Sequence, residues 1–364
     1  MEPGTLFFLA SDLTLGGPAR RLALLAANLP RDRFRVEVGV LGTVAAPVAD
    51  TIREAGVPVR SLPVRHALDV GGLRKLRRAV AAAGPAVVHA WGPLAARAGR
   101  PRGSRVVVSA AAEPGGGFGG WLTARRLRRA DRVVAMSWAE AERYRRLGVP
   151  GKTLTRVAPG VRPPGPPPDP GAFRRGLGIP PHARLLFADG RLEPAAGLKD
   201  AIWAFDILRY DNPDLFLVVF GDGPDRVALE EFGRALAFDD FRIRFAGERA
   251  DLPAALALAD VVWVTHERGG ADLALEAMAA ARPVVGWKTP NLGELIEEGE
   301  TGFLVPRADR AQLAAKTLVL LGDAAARGRV GGTARERVRE RFPVGRMVEQ
   351  FARVYAELAG ERLS

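Results

Sequence analysis

One stretch of the sequence joins an apolar strand to a helix that opens on two glycines: Val264-Thr-His-Glu-Arg-Gly-Gly-Ala-Asp-Leu-Ala-Leu-Glu-Ala-Met-Ala-Ala-Ala-Arg-Pro-Val-Val-Gly-Trp287. The strand begins at Asp260, and the bare backbone of Gly269 and Gly270 lets amide N–H groups face an anion at the start of the helix. Glu276 follows Gly269 by about two helical turns and shares its face. An acid there can bind ribose hydroxyls while the amides hold phosphate, which indicates a nucleotide-sugar site. The alternative is a polar residue on a packed helix of any α/β protein.

Outward from this stretch, short apolar runs alternate with longer Ala/Leu/Arg segments of helical period along nearly the whole chain. This alternation is typical of βα units around parallel sheets. The predicted strands are Thr5–Ala10, Arg35–Val40, Ala86–Ala90, Arg105–Ser109, Arg132–Met136, Arg184–Ala188, Leu215–Phe220, Arg242–Ala246, Asp260–Val264, Pro283–Gly286 and Gly302–Val305.

A proline-rich segment separates the strands of the two halves. Residues Pro159–Pro170 can form neither a helix nor the interior of a strand, so we interpret them as a stiff connection. At 364 residues the chain is also longer than a single hydrophobic core usually supports, which indicates two domains. We predict an α/β protein whose two Rossmann-like, doubly wound domains face each other across a cleft. The predicted segments are a first domain over 1–162, a linker over 163–170, a second domain over 171–341 and a C-terminal helix over 342–364.

Composition favours a globular protein without disulfides or thiolate metal sites. Hydrophobic residues make up 48% of the chain and charged residues 26%, and no apolar run reaches membrane-spanning length. The absence of cysteine excludes cysteine nucleophiles, and the four histidines are scattered without metal-ligand spacing at His66, His89, His182 and His266. The first residues lack the basic region of a secretory signal, so we expect a cytoplasmic protein.

The formal net charge of +12 favours anionic partners. Basic runs concentrate in the first half, at Arg74–Arg78, Arg125–Arg129 and Arg143–Arg146. Solvated helix faces explain such runs; the alternative is a patch that meets an anionic membrane or a lipid-phosphate acceptor, which would place the protein peripherally at the inner membrane. Nucleic-acid binding is a third interpretation. No RNA-binding motif or aromatic-interleaved basic patch supports it, so we predict no nucleic-acid partner.

Four glycine-rich loops follow predicted strands. Ligands of doubly wound sheets bind beyond the carboxyl ends of the strands, where these loops lie. They are Leu15–Pro18, Asp189–Arg191, Gly221–Pro224 and Gly269–Gly270. Each loop alone could be an ordinary turn without a ligand. Four glycine-rich loops at strand ends are more than tight turns alone require, which favours a ligand site. Neither a G-x-G-x-x-G fingerprint nor a P-loop is present, which disfavours dinucleotide-binding oxidoreductases and P-loop enzymes.

With these loops placed, the chain resembles the family 4 glycosyltransferases, which are retaining, nucleotide-sugar-dependent enzymes of GT-B fold. The resemblance covers almost the full length. The segments that carry it are Gly16–Ala19, Val87–Gly92, Ala130–Ser137, Gly190–Gly197, Gly221–Pro224, Leu275–Met278, Arg282–Val285 and Glu300–Val305. The last helix, near Arg346–Leu358, looks like the segment that in the family returns to brace the first domain.

The resemblance implies a reaction as well as a fold. A hexose would pass with retention from a nucleoside diphosphate sugar, held mainly by the second domain, to a glycan or lipid-linked acceptor, held mainly by the first. Such an enzyme would serve polysaccharide or glycolipid synthesis. No metal or other cofactor is expected, because a fixed guanidinium and backbone amides can stabilise the departing diphosphate.

Carried over residue by residue, the resemblance assigns roles to particular side chains and glycines. Arg191 would meet the donor pyrophosphate and Glu276 the ribose hydroxyls. Gly16–Gly17 would meet the phosphate from across the cleft, and Gly269–Gly270 the sugar-phosphate end. The candidate catalytic residues are Arg191, Glu267 and Glu276, and the candidate donor-binding residues are Gly16, Gly17, Lys199, Gly221, Gly223, Arg268, Gly269 and Gly270.

The second half departs from the family's pattern at two charged positions. The lysine that follows the pyrophosphate arginine by five residues is replaced by Ala196, and Lys199, one helical turn further on, is the candidate substitute. The first glutamate of the family's pair corresponds to Arg268, with Glu267 one place earlier and the loop one residue short. Either Glu267 takes that role, or Arg268 faces phosphate or an acidic donor sugar.

The first half departs from the family as well. The histidine that often follows the strand matched by Val106–Ser109 is absent from Ser109-Ala-Ala-Ala112, and Trp91 replaces a second histidine. His89 is interpreted as a strand-end packing residue or an acceptor contact, and His266 lies beside the donor loop. These departures leave open a second class of function, in which a catalytically impaired GT-B protein serves as a nucleotide-binding or scaffolding subunit.

Overall fold

The computed structural model describes residues 4–64, 69–92, 95, 103–109, 118–237 and 241–360. His66 and residues 110–112, which the sequence singled out, lie outside these ranges. Contacts divide the chain into two compact units: unit 1 comprises Met1–Gly160 with Val344–Ser364, and unit 2 comprises Val161–Pro343. The proline-rich residues 163–170 therefore belong to unit 2.

Unit 1 is built on a parallel sheet of seven strands in the order β3-β2-β1-β4-β5-β6-β7. The order reverses direction between β1 and β4, which is the switch point of a doubly wound sheet. The strands are β1 Gly4–Ala10, β2 Phe34–Val40, β3 Val59–Ser61, β4 Val87–Trp91, β5 Arg105–Ser109, β6 Arg132–Ala135 and β7 Leu154–Arg156.

The helices of unit 1 cover the sheet. Their bounds are Gly17–Asn28, Ala46–Glu54, Val70–Ala83, Phe118–Arg129, Trp138–Arg146 and Val344–Ala359, with a 3₁₀ turn at Gly151–Thr153. The C-terminal helix buries Met347, Phe351 and Tyr355 in the same apolar core as Phe8 and Phe34. The end of the chain is thus part of the unit in which the chain begins.

Unit 2 is built on a parallel sheet of six strands in the order β10-β9-β8-β11-β12-β13, with its switch point between β8 and β11. The strands are β8 Arg184–Asp189, β9 Leu215–Phe220, β10 Ile243–Gly247, β11 Val261–Val264, β12 Val284–Trp287 and β13 Gly302–Val305. The helices are Pro170–Gly176, Leu198–Arg209, Arg226–Ala237, Leu252–Ala255, Ala271–Ala279, Pro290–Leu295, Arg310–Gly322 and Ala324–Arg341, with 3₁₀ turns at Pro194–Ala196 and Leu256–Leu258.

Both sheets confirm the predicted α/β architecture of two Rossmann-like, doubly wound domains. Each predicted strand coincides with an observed one to within one residue at either end. The strands that escaped prediction, β3 and β7, have three residues each and lie at the two edges of the first sheet. Along the described residues, no helix combines the length and the apolar character that crossing a bilayer requires.

Candidate functional site

Backbone contacts press the loops after β8 and β9 together in unit 2. A Cβ atom placed on Gly221, whose φ is +101°, would lie 2.1 Å from the carbonyl oxygen of Gly190. A Cβ atom on Gly223 would lie 2.5 Å from the carbonyl oxygen of Leu192. The Leu192 amide donates to the carbonyl oxygen of Asp222 at 3.0 Å. Glycine is therefore required at Gly221 and Gly223, because no side chain fits between the two loops.

The loop after β11 is tied to the loop after β8. The Thr265 hydroxyl donates to the carbonyl oxygen of Ala196 at 2.9 Å, and the Glu267 amide donates to that of Ala195 at 2.9 Å. Ala196 is only 3% exposed, so the position at which the family has its lysine is packed inside the protein. A lysine side chain has no room there without a rearrangement of the loop.

The helix Ala271–Ala279 opens on two glycines, as the sequence predicted. Gly270 is its N-cap, with φ +72°, and among the residues that the structure describes no side chain caps the helix. Gly269, with φ +84°, has no atom within 4 Å of an added Cβ, so the turn is open on that side. Uncapped amides at a helix start favour an anion. Glu276 lies half-buried further along the same helix.

The candidate charged residues of this edge lie in ion pairs or on the surface. Arg191 is 71% exposed on its side chain, and its Nε lies 3.1 Å from a carboxylate oxygen of Glu193. The carboxylate of Glu267 forms an ion pair with Arg307, a residue that follows β13. Arg268 is exposed in the loop before Gly269. Arg191, Glu267 and the glycine-opened helix thus belong to loops that meet at the carboxyl edge of the second sheet.

Lys199, the candidate substitute for the lysine missing at Ala196, is placed differently. Its ammonium nitrogen lies 5.0 Å from the centroid of the Phe232 ring, on the neighbouring helix Arg226–Ala237. A cation over an aromatic face is a stabilising packing contact. The structure therefore gives Lys199 a packing partner, and its role toward the donor stays a prediction.

His266 fills the space between the loops after β8 and β11. A Cβ atom on Gly190 would lie 2.8 Å from its Nε2, and one on Gly270 would lie 3.2 Å from its Nδ1. Burial of the ring lowers the pKa of His266 to about 4, so the imidazole is neutral near pH 7. Its Nδ1 is buried, and no hydrogen-bond partner for it occurs among the described residues. His266 thus packs between two glycines without adding a positive charge.

In unit 1 the first glycine loop is held by a tryptophan. Gly16 is the N-cap of the helix Gly17–Asn28, and no described side chain caps it. The indole Nε1 of Trp91 donates to the carbonyl oxygen of Pro18 at 3.1 Å. No sequence pattern indicated this bond, since Trp91 stood out only as a replaced histidine. The contact of Gly16 and Gly17 with donor phosphate stays a prediction.

His89 is a core residue of unit 1. It is 1% exposed, its Nδ1 lies 2.7 Å from the hydroxyl of Tyr355, and its Nε2 lies 2.8 Å from the hydroxyl of Ser109. Burial lowers the pKa of His89 to about 3, so the ring is neutral. Both ring nitrogens have partners inside the core, which favours the packing interpretation over a contact with an acceptor.

Two family models match the chain. The model described as "Glycosyl transferase 4-like domain" matches residues 16–160, and the model described as "Glycosyl transferases group 1" matches residues 183–323. The first match lies within unit 1 and the second within unit 2. Together they cover the loops described above and every strand of the two sheets except β1.

Similar proteins include enzymes that act on sugars. The D-inositol 3-phosphate glycosyltransferase of Corynebacterium efficiens is 34% identical over 192 residues, which are 50% of this chain and 45% of that protein. The N-acetyl-alpha-D-glucosaminyl L-malate synthase of Bacillus anthracis is 27% identical over 187 residues, which are 51% of this chain and 49% of that protein. The chain thus spans about half the length of the curated relatives it matches.

Solved structures share the fold. The Anabaena protein Alr3699/HepE, in complex with UDP and glucose, has a TM-score of 0.84 at 22% identity, over 96% of this chain and 99% of that chain. WaaG, a glycosyltransferase involved in lipopolysaccharide biosynthesis, has a TM-score of 0.76 at 16% identity, over 96% of this chain and 99% of that chain. At these identities the likeness shows the two-domain architecture.

Proposed function

The chain belongs to the family 4 glycosyltransferases of GT-B fold, and from that membership we propose that it transfers a hexose from a nucleoside diphosphate sugar to a glycan or lipid-linked acceptor, with retention. The observation that carries the proposal is the meeting of three loops at one edge of the second sheet. Those loops follow β8, β9 and β11; the first supplies Arg191, and the third supplies Glu267 and the helix that opens at Gly270. The complexes of the Anabaena protein with UDP and with UDP-glucose support a uridine nucleotide as the first donor to test.

The charges at this edge suit the departure of a diphosphate. Negative charge develops on the leaving group, and a guanidinium together with fixed backbone amides stabilises it without proton transfer. Arg191 supplies the guanidinium, and the uncapped turn at Gly270 supplies the amides. Arg191 has an exposed side chain, and among the residues that the structure describes it pairs with Glu193 alone, so it can turn toward a bound anion. Glu276 would hold the ribose.

The proposal includes no metal. Among the described residues, no group of three histidine, aspartate or glutamate side chains is arranged to hold an ion. Arginine and amides at the sheet edge offer the positive charge that a metal supplies in other transferases. Donor binding should therefore persist in the presence of EDTA.

Calorimetric titration with UDP, GDP and ADP, in buffer containing EDTA, tests the donor site. We expect one nucleotide to bind, and we expect Glu276→Gln to raise its Kd about 10- to 100-fold, because a charged hydrogen bond to a ribose hydroxyl is lost. The control is Glu336→Gln, which removes an exposed carboxylate that pairs with Arg335 and Arg339 on its own helix. A wild-type protein that binds none of the three nucleotides contradicts the proposal.

Binding without transfer would favour the second candidate function, a nucleotide-binding or scaffolding subunit. The observation in its favour is the packed Ala196, which leaves the donor edge without the family's lysine. Measuring sugar release from a bound donor distinguishes the two functions. A transferase hydrolyses or transfers the sugar of the bound donor when acceptors are supplied, whereas a scaffold binds the nucleotide and releases no sugar.

We propose further that unit 1 contacts an anionic membrane that carries the acceptor. Trp121 and Trp138 are 50% and 58% exposed, and each has a guanidinium over its ring: Arg125 lies 5.3 Å from the Trp121 centroid and Arg156 lies 4.6 Å from the Trp138 centroid. Exposed tryptophans beside arginines suit the interface between lipid headgroups and acyl chains. They also lie in or near the basic runs that the sequence singled out.

Vesicle sedimentation tests the membrane contact. The wild-type protein should bind vesicles of phosphatidylglycerol and phosphatidylcholine more tightly than vesicles of phosphatidylcholine alone, and binding should weaken with salt. Replacing both Trp121 and Trp138 with alanine should weaken binding about tenfold, since two anchoring rings are lost. Trp203→Ala removes an exposed tryptophan of unit 2 and should leave binding unchanged. Equal binding to both kinds of vesicle would contradict the proposal.

A further inference from the structure

One ion pair at the carboxyl edge of the second sheet joins Glu267 to Arg307, a residue that none of the roles above uses. Arg307 lies two residues beyond the end of β13, and its guanidinium contacts the carboxylate of Glu267 in the loop after β11. β12 lies between these two strands in the sheet. Neighbouring strands are about 4.8 Å apart, so the Arg307 side chain reaches back across one strand to meet Glu267.

The turn that carries Arg307 is fixed on both sides. The Asp309 amide donates to the carbonyl oxygen of Pro306 at 3.1 Å, and the Asp309 side chain caps the following helix by accepting from the Gln312 amide at 2.9 Å. Ala308, which lies between Pro306 and Asp309, has a φ of +59°, which alanine rarely adopts. Such a backbone persists only where its surroundings hold it. Arg307 thus lies in a turn that these hydrogen bonds close.

Glu267 links this turn to the donor edge. Its amide donates to the carbonyl oxygen of Ala195, and the hydroxyl of Thr265, two residues earlier, donates to Ala196. The Glu267 carboxylate therefore projects from a backbone anchored on the segment that follows Arg191. Without a partner, a carboxylate at this place would repel the diphosphate that Arg191 is proposed to bind.

We propose that Arg307 is a positioning residue of the donor site: it fixes the Glu267 carboxylate and cancels its charge, so that the edge accepts a nucleoside diphosphate. This inference rests on the proposed function. The ion pair explains how the site can hold the negative charge of Glu267 although Ala196 replaces the family's lysine. Arg307, which follows β13, neutralises that charge. The side chain of Arg307 is exposed and that of Glu267 half-buried, so the pair lies where a ligand could meet it.

Calorimetric titration of the full-length protein with UDP, GDP and ADP tests this role through charge rescue. For the nucleotide that the wild-type protein binds, Arg307→Ala should raise the Kd about tenfold, because the Glu267 carboxylate loses its partner in a partly screened setting. Adding Glu267→Gln to Arg307→Ala should bring the Kd back to within about twofold of the wild-type value, since the repelling charge is gone. The control is Arg339→Ala, which removes an exposed arginine paired with Glu336 at 2.7 Å and should leave the Kd unchanged.

The outcomes separate the inference from the function on which it rests. Nucleotide binding that is unchanged in Arg307→Ala overturns the role of Arg307 and leaves the proposed function standing. Weak binding in Arg307→Ala that Glu267→Gln does not rescue also overturns it, because a purely structural role is not restored by removing a second charge. A wild-type protein that binds none of the three nucleotides overturns both.

Discussion

Replacing Arg191 with alanine is expected to slow sugar transfer at least about hundredfold while leaving the protein folded. In the proposed mechanism the guanidinium faces the charge that develops on the leaving diphosphate, and losing one preorganised donor of this kind costs about 10²- to 10³-fold in rate. The fold should survive because Arg191 is mostly exposed, and its exposed ion pair with Glu193 contributes little to stability. The effect is measured as release of nucleoside diphosphate from sugar donors that carry the nucleotide selected by calorimetry.

Two further variants make the Arg191 result specific. Arg191→Lys keeps the charge but loses the planar fork, so its rate should fall between those of the wild type and Arg191→Ala. Arg175→Ala removes an equally exposed arginine of unit 2, whose nearest carboxylate is that of Asp169 at 3.9 Å, and should leave the rate unchanged. If Arg191→Ala transferred sugar at the wild-type rate, the proposed contact between Arg191 and the leaving group would be wrong.

Replacing Gly221 with alanine should lower the free energy of unfolding of unit 2 by about 2–5 kcal/mol, the sum of the costs of a positive φ and of an overpacked contact. The added Cβ would lie 2.1 Å from the carbonyl oxygen of Gly190. That neighbour is backbone, so no side chain can turn away to make room. Because the same contact joins the loops after β8 and β9, nucleotide binding should weaken together with stability. Urea unfolding and calorimetry measure the two effects.

Gly293→Ala is the matched control for Gly221→Ala. Gly293 lies in the helix Pro290–Leu295, and an added Cβ there has no atom within 4 Å. Alanine in an unstrained helical position should leave stability equal or higher, by less than about 1 kcal/mol. If Gly221→Ala were as stable as Gly293→Ala, the two loops would not be in the contact described here.

The sequence predicted the two sheets because their buried strands leave a strong pattern. Val261–Val264 and Leu215–Phe220 are unbroken apolar runs bounded by turn residues, which is how a strand buried on both faces is recognised. Val59–Ser61 and Leu154–Arg156 escaped because a three-residue edge strand is half-buried or exposed and shows no run. The glycines at the ends of strands were visible for a similar reason, since close backbone approach excludes every other residue.

Side-chain partners at the site were harder to predict. Arg307 is one arginine among many in a basic chain, and only the sheet order shows that β13 brings it to the loop after β11. Lys199 stands one turn from Ala196 in sequence, yet its ammonium rests on Phe232 from another helix. Trp91 looked like a lost histidine and instead holds the backbone at Pro18. Each of these contacts joins distant segments, which a local pattern does not encode.

The most direct test of the account is a crystal structure of the protein with UDP, or with whichever nucleotide calorimetry selects. We expect the diphosphate at the carboxyl edge of the second sheet, within hydrogen-bonding distance of Arg191 and of the amides at Gly269 and Gly270, with the ribose hydroxyls on Glu276. A nucleotide bound elsewhere, with Arg191 still paired to Glu193 and Glu276 untouched, would contradict it.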